Sequence, residues 1–576
     1  MAVRNNKLKD KRATTRYVNL DPNKLRGGYY TPADLAEWIA AWCIQNKDDQ
    51  VLEPSCGDGS FLAAAAQRLL ALDSKPEAIA KQIQGVEISE PEADKTRTVL
   101  EGILHTPVAG TVAVADFFEW WRIPGRGTFD AVLGNPPFIR YQSFPEPPRS
   151  RAMDIMFDSG LQPNRLTNSW VPFVVASVRA LIPRGRMGLV LPAELLQVSY
   201  AAQLRKFLVK NFRDIHVIAC NELFFEKAEQ EVVILLADDA LVSPELDNQC
   251  AVAVAATQTR QSLIETPAAT LIAETPPKIV QHEDEKWLKY FLSQPQIDLL
   301  RALRSSGIAT TLDQFASVDV GVVTGKNNFF VLNDEQVGEW QLHDFVLPLA
   351  ARASHLNGAI FAEDHWKNLA AQGERVYLLQ LGKKVRSRLP TKALSYVVSG
   401  ENSGYDAGYK CSIREPWYSV PSVWSPDAFL FRQIYDFPRI LLNEAKATCT
   451  DTIHRMTVHS GTAETLAAMC FTSLTAASAE IEGRSYGGGV LELEPTEAER
   501  LLVPAKLTGA LDLSEIDHLI RDGRILEVLD LNDKIVLGDH LGLSADDRRL
   551  LRSAWDTMRD RRRSRRKARV TTKREM

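Results

Sequence analysis

The chain has 576 residues, 24% of them charged, with a formal net charge of −5. That length exceeds one hydrophobic core, so two or more domains are expected. The charge excludes a protein held on nucleic acid by bulk positive charge.

No stretch is long and apolar enough to span a bilayer, so no membrane partner is expected. The basic arm, residues 1–26, has no apolar core of a secretory signal behind its first Lys and Arg residues. Seven cysteines lie far apart without CxxC spacing. This argues against structural zinc or a disulfide framework and points to a reducing, cytoplasmic setting.

In chain order, residues 31–43 carry a helical period with Pro32 at a first-turn position. Val51 and Leu52 read as a strand leading into a glycine loop and a helix over 61–72. Residues 84–88, 112–115 and 129–133 read as strands, 170–181 as a helix, 187–191 as a strand and 201–209 as a helix. Residues 215–219 and 232–237 close the series. Such alternation predicts an α/β, doubly wound, mostly parallel sheet, with a catalytic domain over 27–275. Residues 250–256 can add a strand, whereas 266–277, rich in Thr, Ala and Pro, read as a connector.

Beyond it, over 284–558, short apolar runs, aromatics and the cluster Gly487-Gly488-Gly489 predict a second, mixed α+β domain. The chain then turns strongly basic, from Arg559 through Arg561, Arg562, Arg563, Arg565, Arg566, Lys567 and Arg569 to Lys573. This run, 559–576, reads as a disordered tail that is either simply solvated or available to neutralise phosphates.

The loop Glu53-Pro54-Ser55-Cys56-Gly57-Asp58-Gly59 stands just past a strand and before a helix. Glycine there lets the backbone turn sharply and approach a ligand. A dinucleotide fingerprint would carry a third glycine. Here Glu53 stands at the strand end, where an acid repels a pyrophosphate and suits a cation. S-adenosylmethionine (SAM), with an ammonium and a sulfonium, fits that electrostatics.

The next strand ends in Val86-Glu87-Ile88, where a carboxylate can accept both hydroxyls of a ribose. The third ends in Ala115-Asp116-Phe117-Phe118, where Asp116 can accept from an adenine amino group and Phe117 can pack on its face. Three successive strands, each ending in an acid at one sheet edge, make incidental surface acids a poor explanation.

Gly134-Asn135-Pro136-Pro137-Phe138 follows the strand over 129–133. Two prolines fix the backbone extended and remove two donors, leaving rigid carbonyl acceptors. An exocyclic aromatic amine is a poor nucleophile because its lone pair is delocalised. Gripping its hydrogens with Asn135 Oδ1 and the Pro136 carbonyl favours a pyramidal nitrogen aimed at a methyl donor. Catalysis is then positioning and preorganised electrostatics, with no metal required. Phe138 offers a face to a base that has left its stack.

This order of motifs resembles the gamma group of DNA amino-methyltransferases, the Taq-type adenine-N6 enzymes of restriction–modification systems. The resemblance covers residues 27–237 well and the remainder in patches. Gly28-Tyr29-Tyr30-Thr31-Pro32 is similar to the family's first element, which implies that Tyr29 and Thr31 line the methionine part of SAM. It further implies cofactor contacts from Glu53, Pro54, Cys56, Gly57, Gly59, Glu87, Ile88, Asp116, Phe117, Asn135 and Pro137. Asn135, Pro136 and Phe138 would act on the target base, and Phe224, in Asn221-Glu222-Leu223-Phe224-Phe225-Glu226, would form its second aromatic wall.

Gly321-Val322-Val323-Thr324-Gly325-Lys326-Asn327-Asn328-Phe329-Phe330 looks like the start of the family's target-recognition domain. Cys449-Thr450-Asp451-Thr452-Ile453-His454-Arg455-Met456 and Tyr486-Gly487-Gly488-Gly489 also resemble family segments. The resemblance implies double-stranded DNA as partner, a separately encoded cognate restriction endonuclease, a monomer and a nucleoid-associated, prokaryotic protein.

Three alternatives remain open at this point. One is an amino-methyltransferase acting on cytosine N4, RNA or a protein amide. Another is a combined restriction enzyme, since Pro426-Asp427 and Glu444-Ala445-Lys446 fit the loose PD…ExK spelling of a metal-dependent nuclease. The third is a non-catalytic DNA-binding protein, against which Asn135 and Glu53 both speak.

Overall fold

The computed structural model describes residues 31–122, 128–220, 231–241, 250–280, 285–382, 385–486, 489–507 and 509–574. Two units emerge, Met1–Phe291 and Leu292–Met576.

The first unit is organised by nine strands: β1 (Val51–Glu53), β2 (Ile83–Glu87), β3 (Val112–Val114), β4 (Phe129–Gly134), β5 (Leu181–Pro192), β6 (Phe212–Cys220), β7 (Val232–Ala240), β8 (Ala251–Thr257) and β9 (Lys278–Ile279). Its helices are α1 (Ala33–Cys43), α2 (Ser60–Ala71), α3 (Pro76–Gln82), α4 (Glu90–Leu104), α5 (Phe117–Trp121), α6 (Pro148–Asp158), α7 (Trp170–Ala180), α8 (Glu194–Gln197), α9 (Ala202–Asn211), α10 (Arg260–Glu265) and α11 (Ala268–Glu274). The sheet order is β3-β2-β1-β4-β5-β7-β6-β8-β9. Strands β1 to β5 run parallel, and β7 enters antiparallel between β5 and β6.

Near-continuous apolar runs mark strands covered on both faces, and Val233, Ile234, Leu235, Leu236 and Ala237 are all fully buried. Helix α1 buries Leu35, Ala36, Ile39, Ala40 and Cys43, a stripe at helical spacing. The strand order reverses between β1 and β4. At such a switch point the loops leaving the two strands diverge and open a crevice at the sheet's carboxyl edge.

Two expectations are corrected. The connector over 266–277 is largely helical. A Thr259–Ser262 capping box starts α10, and Pro267 stands at the N-terminus of α11. Trp38 Nε1 donates to the Thr266 carbonyl at 2.8 Å, pinning this segment to α1. The basic run after Arg559 is also no disordered tail, because it continues the helix Ala545–Arg574. Leu551, Ala554, Trp555, Met558 and Arg562 recur at three- and four-residue spacing and are buried. Arg562 is 1% exposed and forms a two-pronged pair with Glu480, at 2.9 and 2.6 Å.

The second unit holds a five-stranded sheet in the order Ala316–Val320, Ile453–Val458, Ala428–Phe431, Ile440–Asn443, Ile360–Phe361. It also holds a four-stranded sheet built on Tyr377–Leu379 and Val346–Ala350. Two of the family-like segments meet here. Val322 N donates to the Cys449 carbonyl at 2.7 Å, and a Cβ on Gly321 would stand 2.0 Å from the Thr450 carbonyl, so only glycine fits.

Candidate active site

The loops leaving β1, β2, β3 and β4 at their carboxyl ends surround a cavity of about 450 Å³. Thr31, Glu53, Pro54, Cys56, Gly57, Glu87, Ile88, Asp116, Phe117, Asn135 and Pro137 all line it. Gly59, Pro136 and Phe138 do not. Gly59 has φ +86° and a Cβ there would meet Thr96 Cγ2 at 2.9 Å, so it shapes the turn instead of facing the cavity. Pro136 is buried, and Phe138 packs half-buried against the unit's main apolar cluster. Tyr29 and Phe224 lie outside the described residues.

Each acid is held by backbone. Glu53, 2% exposed, accepts from Leu62 N of α2 at 3.1 Å. Burial, then the charge of Asp58, then that of Glu87, push its carboxyl well above the ordinary range, although the Leu62 N–H opposes the shift. Glu87 Oε2 accepts from Gly57 N at 3.0 Å and Oε1 from Ser89 N at 2.9 Å, which fixes the carboxylate in one orientation. Asp116 caps α5 through Phe118 N at 3.2 Å, and its second oxygen accepts from Arg151 Nη1 at 3.0 Å. Phe117 lies stacked on Phe173, ring centres 5.2 Å apart and 10° from parallel.

At the end of β4, Asn135 Nδ2 donates to Thr31 Oγ1 at 3.3 Å, and the Asn135 carbonyl accepts from Ser55 Oγ at 3.4 Å. Ser169, fully buried just before α7, brackets the following residues. Its hydroxyl donates to the Pro137 carbonyl at 2.5 Å and accepts from Ile139 N at 2.8 Å, while its N–H donates to the Ile139 carbonyl at 2.9 Å. The tetrad is therefore a rigid strip clamped from both sides.

Sequence reasoning missed Ser169, Arg151 and the wall made by Phe144, Pro145 and Pro148. The proline-rich stretch just after the tetrad was a usable signal for that wall. Nothing local marked Ser169 or Arg151.

Residues 16–253 match the N-6 DNA Methylase family, and residues 284–537 match the family described as Type II methyltransferase M.Eco57I, C-terminal domain. The chain belongs to the N6-adenine DNA methyltransferases of restriction–modification systems. This methyltransferase is 21% identical over 540 residues to Type II methyltransferase M.AccI of Acinetobacter calcoaceticus, covering 90% of this chain and 92% of that one. It is 22% identical over 522 residues to Type II methyltransferase M.PaeR7I of Pseudomonas aeruginosa, covering 83% and 86%. Among solved structures, the Type IIL restriction–modification enzyme MmeI, in complex with DNA, shares the fold. Its TM-score is 0.53 at 10% identity, over 92% of this chain and 75% of that one.

The two halves of the nuclease spelling lie at the ends of paired strands, where Asn443 N, beside Glu444, donates to the Asp427 carbonyl at 3.1 Å. The Asp427 carboxylate itself accepts from Val458 N at 2.8 Å, a strand-end role. Among the described residues, no group of three or more His, Cys, Asp or Glu side chains is placed to hold a metal ion.

Proposed function

We propose that the cavity takes S-adenosylmethionine and that the methyltransferase moves its methyl group to N6 of an adenine flipped out of duplex DNA. The observation that carries this reading is Glu53, a buried carboxylate at the end of β1 with its proton affinity raised. Such a group is costly to ionise alone and is stabilised by a cation placed beside it. The fit is therefore to a positively charged ligand, with Glu87 and Asp116 set along the same edge for its ribose and adenine.

When bound, SAM supplies a methyl group already activated on a sulfonium. The chain's own residues do the rest. Asn135 Oδ1 and the Pro136 carbonyl accept the two amino hydrogens of the target adenine and aim its N6 lone pair along β4 toward the cavity. Thr31, by accepting from Asn135 Nδ2, sets which way the amide points. Transfer would join N6 to the methyl carbon as the carbon–sulfur bond breaks, with N6 releasing one proton to solvent. Phe138 and Phe224 hold the extruded ring.

Within the same reading, the enzyme is of the gamma group, acts as a monomer in the cytoplasm and protects DNA from a separately encoded restriction endonuclease. The segment 284–558 reads the target sequence, since specificity requires side chains at base edges.

Asn135→Ala tests the centre of this reading. Methyl transfer to duplex DNA is expected to fall at least a thousandfold while SAM binding by calorimetry stays within about threefold, as loss of a transition-state contact requires. Near-normal turnover in that variant rejects the assigned role.

A further inference from the structure

The loop before α7 presents an apolar side chain in an unusual way. Residues 159–169 leave α6 and arrive at the carboxyl edge of the sheet, where Ser169 clamps the catalytic strip. The loop is pinned along its length. Gln162 N donates to Gln203 Oε1 at 2.6 Å, and Gln203 Nε2 returns a bond to the Gln162 carbonyl at 3.1 Å. Asn164 Oδ1 accepts from Leu166 N at 2.8 Å, and Thr167 closes the turn in both directions at 3.0 Å. Asn168 Nδ2 donates to Glu194 Oε2 at 3.2 Å and to Tyr200 Oη at 2.9 Å.

Single exposed apolar residues are ordinary on flexible surfaces. Here the turn is fixed on both sides, and Leu166 is still 64% exposed with the exposed Arg165 beside it. A slack loop would fold that leucine back; this one cannot. Leu166 stands three residues from Ser169, a reach of no more than about 11 Å along the chain. It therefore sits at the rim of the place where the target base is held.

We propose that the Arg165-Leu166 turn is the element that engages the duplex beside the flipped adenine. Leu166 wedges against the base pairs flanking the vacated position, and Arg165 holds a backbone phosphate. Extruding a base breaks its pairing and stacking, and an apolar wedge offsets part of that cost by covering the exposed neighbouring bases. The cation gives the turn the charge complementarity that a duplex requires. This inference rests on the base-flipping reading above.

The test uses the full chain and a duplex carrying its methylation site, mapped by methylation-sensitive sequencing, with 2-aminopurine at the target position. Leu166→Ala is expected to reduce the fluorescence rise and raise KM for DNA about tenfold, with SAM affinity and Tm unchanged. On a duplex mismatched at the target, where pairing is already lost, its rate should return to within about twofold of the unaltered enzyme. Leu166→Gln, similar in size but polar, should behave as Leu166→Ala does. Arg165→Ala should lower the slope of log affinity against log salt by about 0.9. The inference is overturned if the Leu166 variants match the unaltered enzyme on paired DNA, or are equally impaired on paired and mismatched DNA. If the unaltered enzyme methylates adenine without any fluorescence rise, base flipping itself is wrong and the inference falls with it.

Discussion

Arg151 of α6 reaches Asp116 at the end of β3, its Nη1 lying 3.0 Å from Oδ2 and also 3.0 Å from Glu119 Oε2. The pair divides the cavity electrically. Around Glu53 stand Asp58 and Glu87, and their charges reinforce one another. At the Asp116 end a guanidinium supplies the counter-charge. A ligand that is cationic at one end and a neutral aromatic at the other has one favoured orientation in such a field.

Replacing Arg151 by Met should therefore weaken SAM binding roughly tenfold, in line with the loss of a charge-assisted hydrogen bond. Saturating turnover should stay within about twofold, because the methyl donor's reacting end is held elsewhere. Titration calorimetry beside steady-state kinetics separates the two quantities. Asp116→Asn combined with Arg151→Met should be no worse than the poorer single variant, and full additivity would show that the residues act independently.

Glu53 predicts an opposite pH dependence for folding and for binding. Its folded-state proton affinity is raised by burial, so the stability it contributes is complete below its ordinary value of 4.5 and is lost as pH rises through the raised one. The ligand-free protein should thus lose Tm as pH increases from about 5, and Glu53→Gln should flatten that slope. Binding a cation requires the carboxylate, so SAM affinity should climb over the same interval and lose its pH dependence in the variant. Scanning fluorimetry and calorimetry at several pH values provide both curves, and a SAM affinity that falls with pH would contradict the assignment.

The pair of Arg562 and Glu480 is the strongest stability prediction in the second unit. Both side chains are almost fully buried, and Arg562 also donates to the carbonyls of Gly489 and Tyr435. Arg562→Met leaves a carboxylate buried without its partner and should cost about 3–5 kcal/mol. Adding Glu480→Leu should recover most of that loss. Denaturant titration of the two variants checks it, and a double variant no better than the single one would show that packing matters more than charge.

Much of the first unit was legible because its signals are local. Parallel strands covered on both faces read as apolar runs, Glu53 and Glu87 each end such a strand, and Asp116 follows β3 by two residues as the cap of α5. Asn135 and Pro137 were readable for the same reason. Ser169 and Arg151 were not, because each meets its partner across 32 and 35 residues and neither belongs to a periodic pattern. The basic run misled for a different reason. Its charge suggested a solvated tail, yet Leu551, Trp555, Met558 and Arg562 already spelled a buried helical face running into it. Following the apolar spacing across the charge boundary would have found the helix.

Among the described residues, the sheet loops that shape the cavity leave at one edge, and that has a practical side. The turn over 105–111, joining α4 to β3, lies at the other edge and contributes nothing to the cavity. Pro107, Ala109 and Gly110 are exposed there, while Val108 anchors the turn with its buried side chain. A reporter domain or affinity handle spliced between Ala109 and Gly110 would ride on the enzyme while leaving cofactor entry and base capture untouched.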